Sequence, residues 1–115
     1  MNYWNGESVD GSYDFHIEYW AEVGKDLRGV WSVWGPDLRA DSKHPLGENA
    51  YIKYASFWDD EVSYVKVEGD TVLAVYAACS KALTEVSEGD HSFIEAFGKS
   101  NDPRYDNVWD LYTGS

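Results

Sequence analysis

Hydrophobic and polar residues alternate along the first half of the chain and then change period. From Tyr13 to Glu22, Tyr13, Phe15, Ile17, Tyr19 and Ala21 fall on one face, with Asp14, His16, Glu18, Trp20 and Glu22 on the other. A period of two predicts a half-buried strand that turns the first set inward. Gly24-Lys25-Asp26 reads as a turn. Gly29 to Gly35, around Val30-Trp31-Ser32-Val33-Trp34, reads as a second strand hairpinned to the first, with Trp31 and Trp34 on opposite faces. Gly35-Pro36 ends it. Residues 36–49 form a long polar connection carrying Pro36 and Pro45, of the length that is usually functional or mobile. Ala50 to Trp58 is a third strand with aromatics on both faces, so the pattern leaves its inward face open. Asp59-Asp60-Glu61 makes an acidic turn into a fourth strand, Val62 to Val67, which Glu68-Gly69 closes.

At Asp70 the spacing shifts to threes and fours. Val72, Leu73, Val75, Tyr76, Cys79, Leu83 and Val86 line one side of an amphipathic helix. Asp70 or Thr71 supplies its N-cap. Ala74, Ala77 and Ala78 allow close approach to a sheet, and Gly89 is the stop. Ser92 and Glu95 have capping-box spacing, which predicts a second short helix from Ser92 to Phe97 with Gly98 as its C-cap. After the turn Asn101-Asp102-Pro103, the apolar residues Tyr105, Val108, Trp109, Leu111 and Tyr112 predict a segment that docks on the body or on a partner. Residues 1–12 are rich in turn formers, and Tyr3 and Trp4 are expected to pack back. The predicted order is ββββα. It describes an α+β fold, a four-stranded antiparallel meander covered on one face by the helix, with residues 1–115 as one acidic domain.

Charge changes this picture most. The chain carries 21 Asp and Glu against 9 Lys and Arg, a formal net charge of −12 on 115 residues. The excess runs along the whole length; residues 1–24 hold five acids and no base. Such a surface repels nucleic acid and anionic membranes and attracts cationic partners. Aromatics make up 17% of the chain, with six Trp, which disordered chains lack. The first residues have no basic or apolar leader character, and no apolar run approaches the ~20 residues of a membrane helix. With a single cysteine there is no internal disulfide. A cytoplasmic protein without a membrane partner is the expectation.

Candidate chemistry is sparse, and no cofactor is expected. His16, His44 and His91 are scattered, with no paired ligand spacing to nucleate a zinc site. The acids do not follow the spacing of a calcium loop; Asp59-Asp60-Glu61 reads as a solvated tip. Cys79 lies on the apolar stripe of the predicted helix, where a thiol is inert core rather than a nucleophile. There is no nucleophile elbow, P-loop or dinucleotide-binding loop. Any two of 21 acids approach by chance, so paired carboxylates carry no signal, and a meander on one helix offers no deep cleft for a sugar.

Surface recognition remains. Trp20 is predicted to project outward between Glu18 and Glu22, and Asp59, Asp60 and Glu61 form a second acidic patch. An exposed Trp among carboxylates suits an Arg- or Lys-rich partner through charge and cation–π contact. The leading expectation is a non-enzymatic inhibitor that occupies the basic, nucleic-acid-binding surface of a nuclease or nucleic-acid-guided effector. In size, acidity and lack of catalytic motifs the chain looks like two classes of protein. One is the phage counter-defence factor of the anti-CRISPR kind, a nucleic-acid mimic; the other is the immunity protein that neutralises a toxin nuclease. The alternatives are a structural subunit that self-associates, as a homodimer for instance, through an aromatic-rich face, and, last, a small enzyme or ligand-binding domain.

Overall fold

The computed structural model describes residues 2–7, 13–55, 61–86 and 93–114. In chain order these form β1 (Tyr3–Asn5), α1 (Tyr13–Val23), β2 (Val30–Trp31), β3 (Tyr51–Ala55), β4 (Val62–Lys66), α2 (Val72–Val86), β5 (Phe93–Lys99) and β6 (Val108–Gly114). The class is α+β, but the sheet is mixed and six-stranded rather than a four-stranded meander. Its order is β1-β5-β6-β3-β4, with β2 also paired to β5. β3 and β4 form the expected antiparallel pair, while β3 runs parallel to β6 and β2 parallel to β5.

Two elements reverse the sequence expectation. Tyr13 to Glu22 is a helix, so the strand expected there and its hairpin with residues 29–35 do not form. At ~100° per residue, His16, Tyr19, Trp20 and Val23 share one side of α1, and that side packs on the core. Both periods fit this stretch because aromatics sit on both sets of positions; the tertiary contacts of Trp20 with Trp31 (ring centroids 5.4 Å apart) and Tyr76 (6.3 Å) select the helix. Phe93 to Lys99, in turn, is a strand and not a capped helix. Its pairing with β6 shifts register between Ile94 and Ala96. A bulge at Glu95 turns Ile94 and Phe97 to the same face, a spacing of three that imitates a helix in sequence.

The rest of the sheet grows from its own pattern. The C-terminal segment docks as β6, in the middle of the sheet between β5 and β3. Ala50, Ile52 and Tyr54 are the inward set of the third strand. Trp4 packs back as anticipated, stacked on Phe97 at 5.2 Å. α2 runs over the expected residues and buries Val72, Val75, Tyr76, Cys79, Ala82, Leu83 and Val86, whereas Leu73, expected on the same stripe, is 40% exposed because one residue step of ~100° carries it off the core side. Its cap is Thr71, whose Oγ1 accepts from the Ala74 N–H at 3.2 Å. The connection 36–49 completes this helix start: Val72 N–H donates to the Ser42 carbonyl and Leu73 N–H to that of Ala40. Those free N–H groups explain why an irregular segment lies in place here. His44, in the same segment, accepts from Leu46 N–H at Nδ1 and lies 3.2 Å from the Gly69 carbonyl at Nε2, which sets its tautomer as Nε2–H.

Both helices lie on one face of the sheet and meet through Trp20 and Tyr76. The other face carries tyrosines and a polar row. Gly98, Asp110, Lys53 and Tyr64 are register neighbours across β5, β6, β3 and β4. Asp102, from the turn before β6, accepts from Lys53 Nζ (2.8 Å), Tyr64 Oη (2.5 Å) and Arg104 N–H (2.8 Å). The Lys53 bond, then the Tyr64 bond, hold its carboxyl well below the usual range. Burial pushes Asp110 up, and nearby Lys53 opposes that shift. Tyr105 stacks on Tyr51 at 3.8 Å, and Tyr112 lies over the bare Cα of Gly98 beside Tyr3.

Candidate functional site

All nine Lys and Arg fall within the described residues, so their contacts with the described acids can be followed cation by cation. Among the described residues two ion pairs form: Lys25–Glu22 at 3.3 Å, largely exposed, and Lys53–Asp102 at 2.8 Å. Other cations face rings instead. Arg39 lies over Phe15 (4.9 Å) and Tyr19 (5.6 Å), Arg104 over Tyr64 and Lys99 over Trp109. Among the described residues, the acids are therefore left largely without a cation within ion-pairing distance.

The acids gather most regularly on α1. Asp14, Glu18 and Glu22 are spaced four apart and exposed, so they form one stripe along the helix. Like charges at this spacing cost about 0.2–0.5 kcal/mol per pair. Only Lys25 answers them, at the C-terminal end. Glu18 and Glu22 are thus placed together at the surface, as expected of a recognition face.

Trp20 is not part of that surface. With 2% of its area exposed it points into the core between Trp31 and Tyr76, because the helical period puts it opposite Glu18 and Glu22. The expected exposed Trp between two carboxylates is corrected accordingly. Asp59 and Asp60 lie outside the described residues. Glu61 is exposed just before β4, sharing a recess with Glu85, Arg104 and Tyr105. α1 rests on β2 beside β5, whereas β4 is the opposite edge. Four strand spacings, roughly 19 Å, separate them, so Glu61 and the α1 stripe are not one site.

Sequence reasoning missed what stands beside the stripe. Between α1 and β2 lies a recess of about 230 Å3, lined among others by Ile17, Trp20, Ala21, Val30, Trp34 and Tyr76. Ile17 is 42% and Val30 48% exposed at its rim. Ile17 and Ala21 are four apart, on the stripe next to Glu18 and Glu22. The indole N–H groups of Trp31 and Trp34 donate to the carbonyls of Val33 (2.7 Å) and Trp31 (3.0 Å), and Tyr76 Oη donates to Gly29 O (2.7 Å). Trp20 Nε1 has no partner, and neither does His16 Nδ1 one turn earlier. His16 is stacked on Trp34 at 5.9 Å, and burial, then Arg39, lower its pKa from the ordinary 6.5. A helical reading of 13–23 would have pointed to this recess, since it alone turns Trp20 inward while keeping Ile17 and Ala21 together beside it.

Among the described residues no group of three or more His, Cys, Asp or Glu is placed to hold a metal ion, and no helix is long and apolar enough to cross a membrane. Cys79 is fully buried, and burial pushes its thiol well up. No protein family model, curated protein or solved structure matches this chain.

Proposed function

We propose that this protein is a non-enzymatic acidic inhibitor that occupies the basic, nucleic-acid-binding surface of a protein target, in the manner of a phage counter-defence (anti-CRISPR-like) factor. The observation that carries the reading is the unanswered charge: 21 acids against 9 cations, with two ion pairs among the described residues. Self-repulsion at Asp14, Glu18 and Glu22 lowers stability without any return inside the fold. It is relieved when a cationic surface covers the stripe. The same physics serves an immunity protein facing a toxin nuclease, and the identity of the displaced enzyme separates the two.

The test is competition for DNA. The purified protein is titrated into complexes of labelled duplex with the guided effectors and the toxin nucleases of its host. Displacement from one of them is expected, weakening steeply between about 50 and 200 mM salt. Glu18→Lys with Glu22→Lys is expected to slow association about tenfold while the fold is kept. Failure to displace DNA from any of them at low salt would refute the proposal.

A second reading, self-association, is favoured by the uncovered sheet face, where Tyr3 is 54% and Tyr112 48% exposed. It predicts a dimer by sedimentation that salt does not dissolve and that Tyr112→Arg does.

A further inference from the structure

We propose that the recess between α1 and β2 is the anchor pocket of the partner-binding surface. It accepts one apolar side chain of a basic segment, whose Lys or Arg neighbours lie on Asp14, Glu18 and Glu22. The inference rests on the reading that the partner is cationic, and adds where and how that partner is held.

Three observations converge on the recess. Its volume, about 230 Å3, exceeds the ~150 Å3 of an apolar cavity that holds benzene, so a leucine- or phenylalanine-sized group fits. Its walls are aromatic and its rim, Ile17 and Val30, is apolar and exposed, the arrangement in which a buried anchor is sealed from water. Trp20, one of the walls, is 98% withdrawn from solvent, yet its indole N–H has no acceptor, whereas the indoles of Trp31 and Trp34 each have one. That N–H is sealed from solvent, so an inserted apolar group would pack on the exposed edge of the recess and against the rings rather than pair with it.

Charge decides the occupant. The helix stripe beside the Ile17–Ala21 rim is Asp14–Glu18–Glu22, with Lys25 its one paired cation. An acidic or neutral apolar segment would meet carboxylates at low dielectric; a basic one neutralises them. The pocket thus supplies affinity and register, and the stripe supplies attraction and selection against anionic segments.

The experiment uses the whole chain, 15N-labelled, and three synthetic capped peptides: Lys-Lys-Leu-Lys-Lys, Lys-Lys-Gly-Lys-Lys and Glu-Glu-Leu-Glu-Glu. Binding is followed at low salt by the indole N–H resonances. The basic leucine peptide is expected to bind about tenfold tighter than the glycine peptide and to move the Trp20 and Trp34 signals. The acidic peptide is expected not to bind. Ala21→Leu, which fills the recess from the exposed side of the helix, is expected to abolish the leucine advantage and leave the affinity of the glycine peptide unchanged. Equal affinities of the two basic peptides, with the indole signals still, would overturn the pocket while leaving the cationic-partner reading intact. Binding by the acidic peptide as tight as by its basic counterpart would overturn the assigned occupant. Absence of binding by either basic peptide would remove the cationic reading and this inference together.

Discussion

Gly24→Ala probes the contact on which the whole α1 side of the molecule depends. Gly24 ends α1; its N–H donates to the Trp20 carbonyl at 3.0 Å. A Cβ there would lie 2.0 Å from Tyr76 Oη, 2.6 Å from Cζ and 2.8 Å from Cε2. Real Cβ contacts do not fall below 3.0 Å, so the ring of Tyr76 has to retreat by about 1 Å or more. Trp31, with its ring 5.3 Å away, and Trp20, at 6.3 Å, stand in its path. Retreat breaks the 2.7 Å bond from Tyr76 Oη to Gly29 O, a loss of about 1 kcal/mol. Misfit in a packed core adds about 1–3 kcal/mol. The expected destabilisation is about 2–4 kcal/mol, large against a total of roughly 5–15 kcal/mol.

The sign makes the test decisive. Gly24 has no positive φ, so alanine fits its backbone, and on chain entropy alone the substitution would stabilise by about 0.4–1 kcal/mol. Urea denaturation of Gly24→Ala, Tyr76→Phe and the double variant measures the coupling. Tyr76→Phe alone is expected to cost about 1 kcal/mol. In its background Gly24→Ala is expected to cost less, because the nearest atom has gone, but not to become neutral, because Cζ remains. A Gly24→Ala protein as stable as the parent, or more so, would refute the seating of α1 on α2.

Further predictions concern buried titratable groups. The lowered pKa of His16 means that the unfolded chain takes up a proton below about pH 6.5 while the folded one resists it. Stability is therefore full above that pH and falls as pH drops through it. His16→Phe keeps the stack on Trp34, removes a polar atom without a partner, and is expected to flatten this slope and raise stability by about 1 kcal/mol at pH 6, measured by urea titration across pH. Cys79, buried with its thiol pushed up, is expected to react with a disulfide reagent only as the chain unfolds; rapid labelling in native buffer would contradict its placement on α2.

The elements legible in the sequence are those in which one period dominates. α2 shows threes and fours over its full length, and β4 is a short run bounded by an acidic turn and a glycine. The elements misread are those where a local device alters the period. In β5 a bulge at Glu95 sets Ile94 and Phe97 three apart. In α1 the residues facing inward include a histidine, while Phe15 and Ile17, the more apolar, stay 47% and 42% exposed. Strand order was beyond reach for a different reason: β6 enters the centre of the sheet between β5 and β3, a non-local pairing that no short window encodes. The acidic stripe was half visible. Alternation puts Glu18 and Glu22 on one strand face, and they remain neighbours on a helix face, because residues four apart share a face in both. Trp20, between them, changed sides.

That local disagreement at α1 is itself informative. Along β3 and most of α2 local preference and global packing agree: Ile52 and Tyr54 turn inward, and α2 buries most of its stripe under a cap made by Thr71 and the 36–49 segment. At α1 they conflict in three ways at once. Both unpartnered buried side-chain atoms among the described residues, His16 Nδ1 and Trp20 Nε1, belong to it. Two of its large apolar residues face out. Three like charges share a stripe. A helix selected only for stability would turn Phe15 or Ile17 inward and place a cation against Glu18. Conflicts of this kind cluster at functional sites, and their costs here run from about 0.2–0.5 kcal/mol for each like-charge pair to about 1–3 kcal/mol for an unpartnered buried polar atom. A basic segment seated as proposed would cover the acids and shield Ile17, relieving two of these conflicts in one event. Relief by one binding event also predicts coupling: the parent should gain thermal stability on binding the basic leucine peptide, and Ala21→Leu should lose most of that gain.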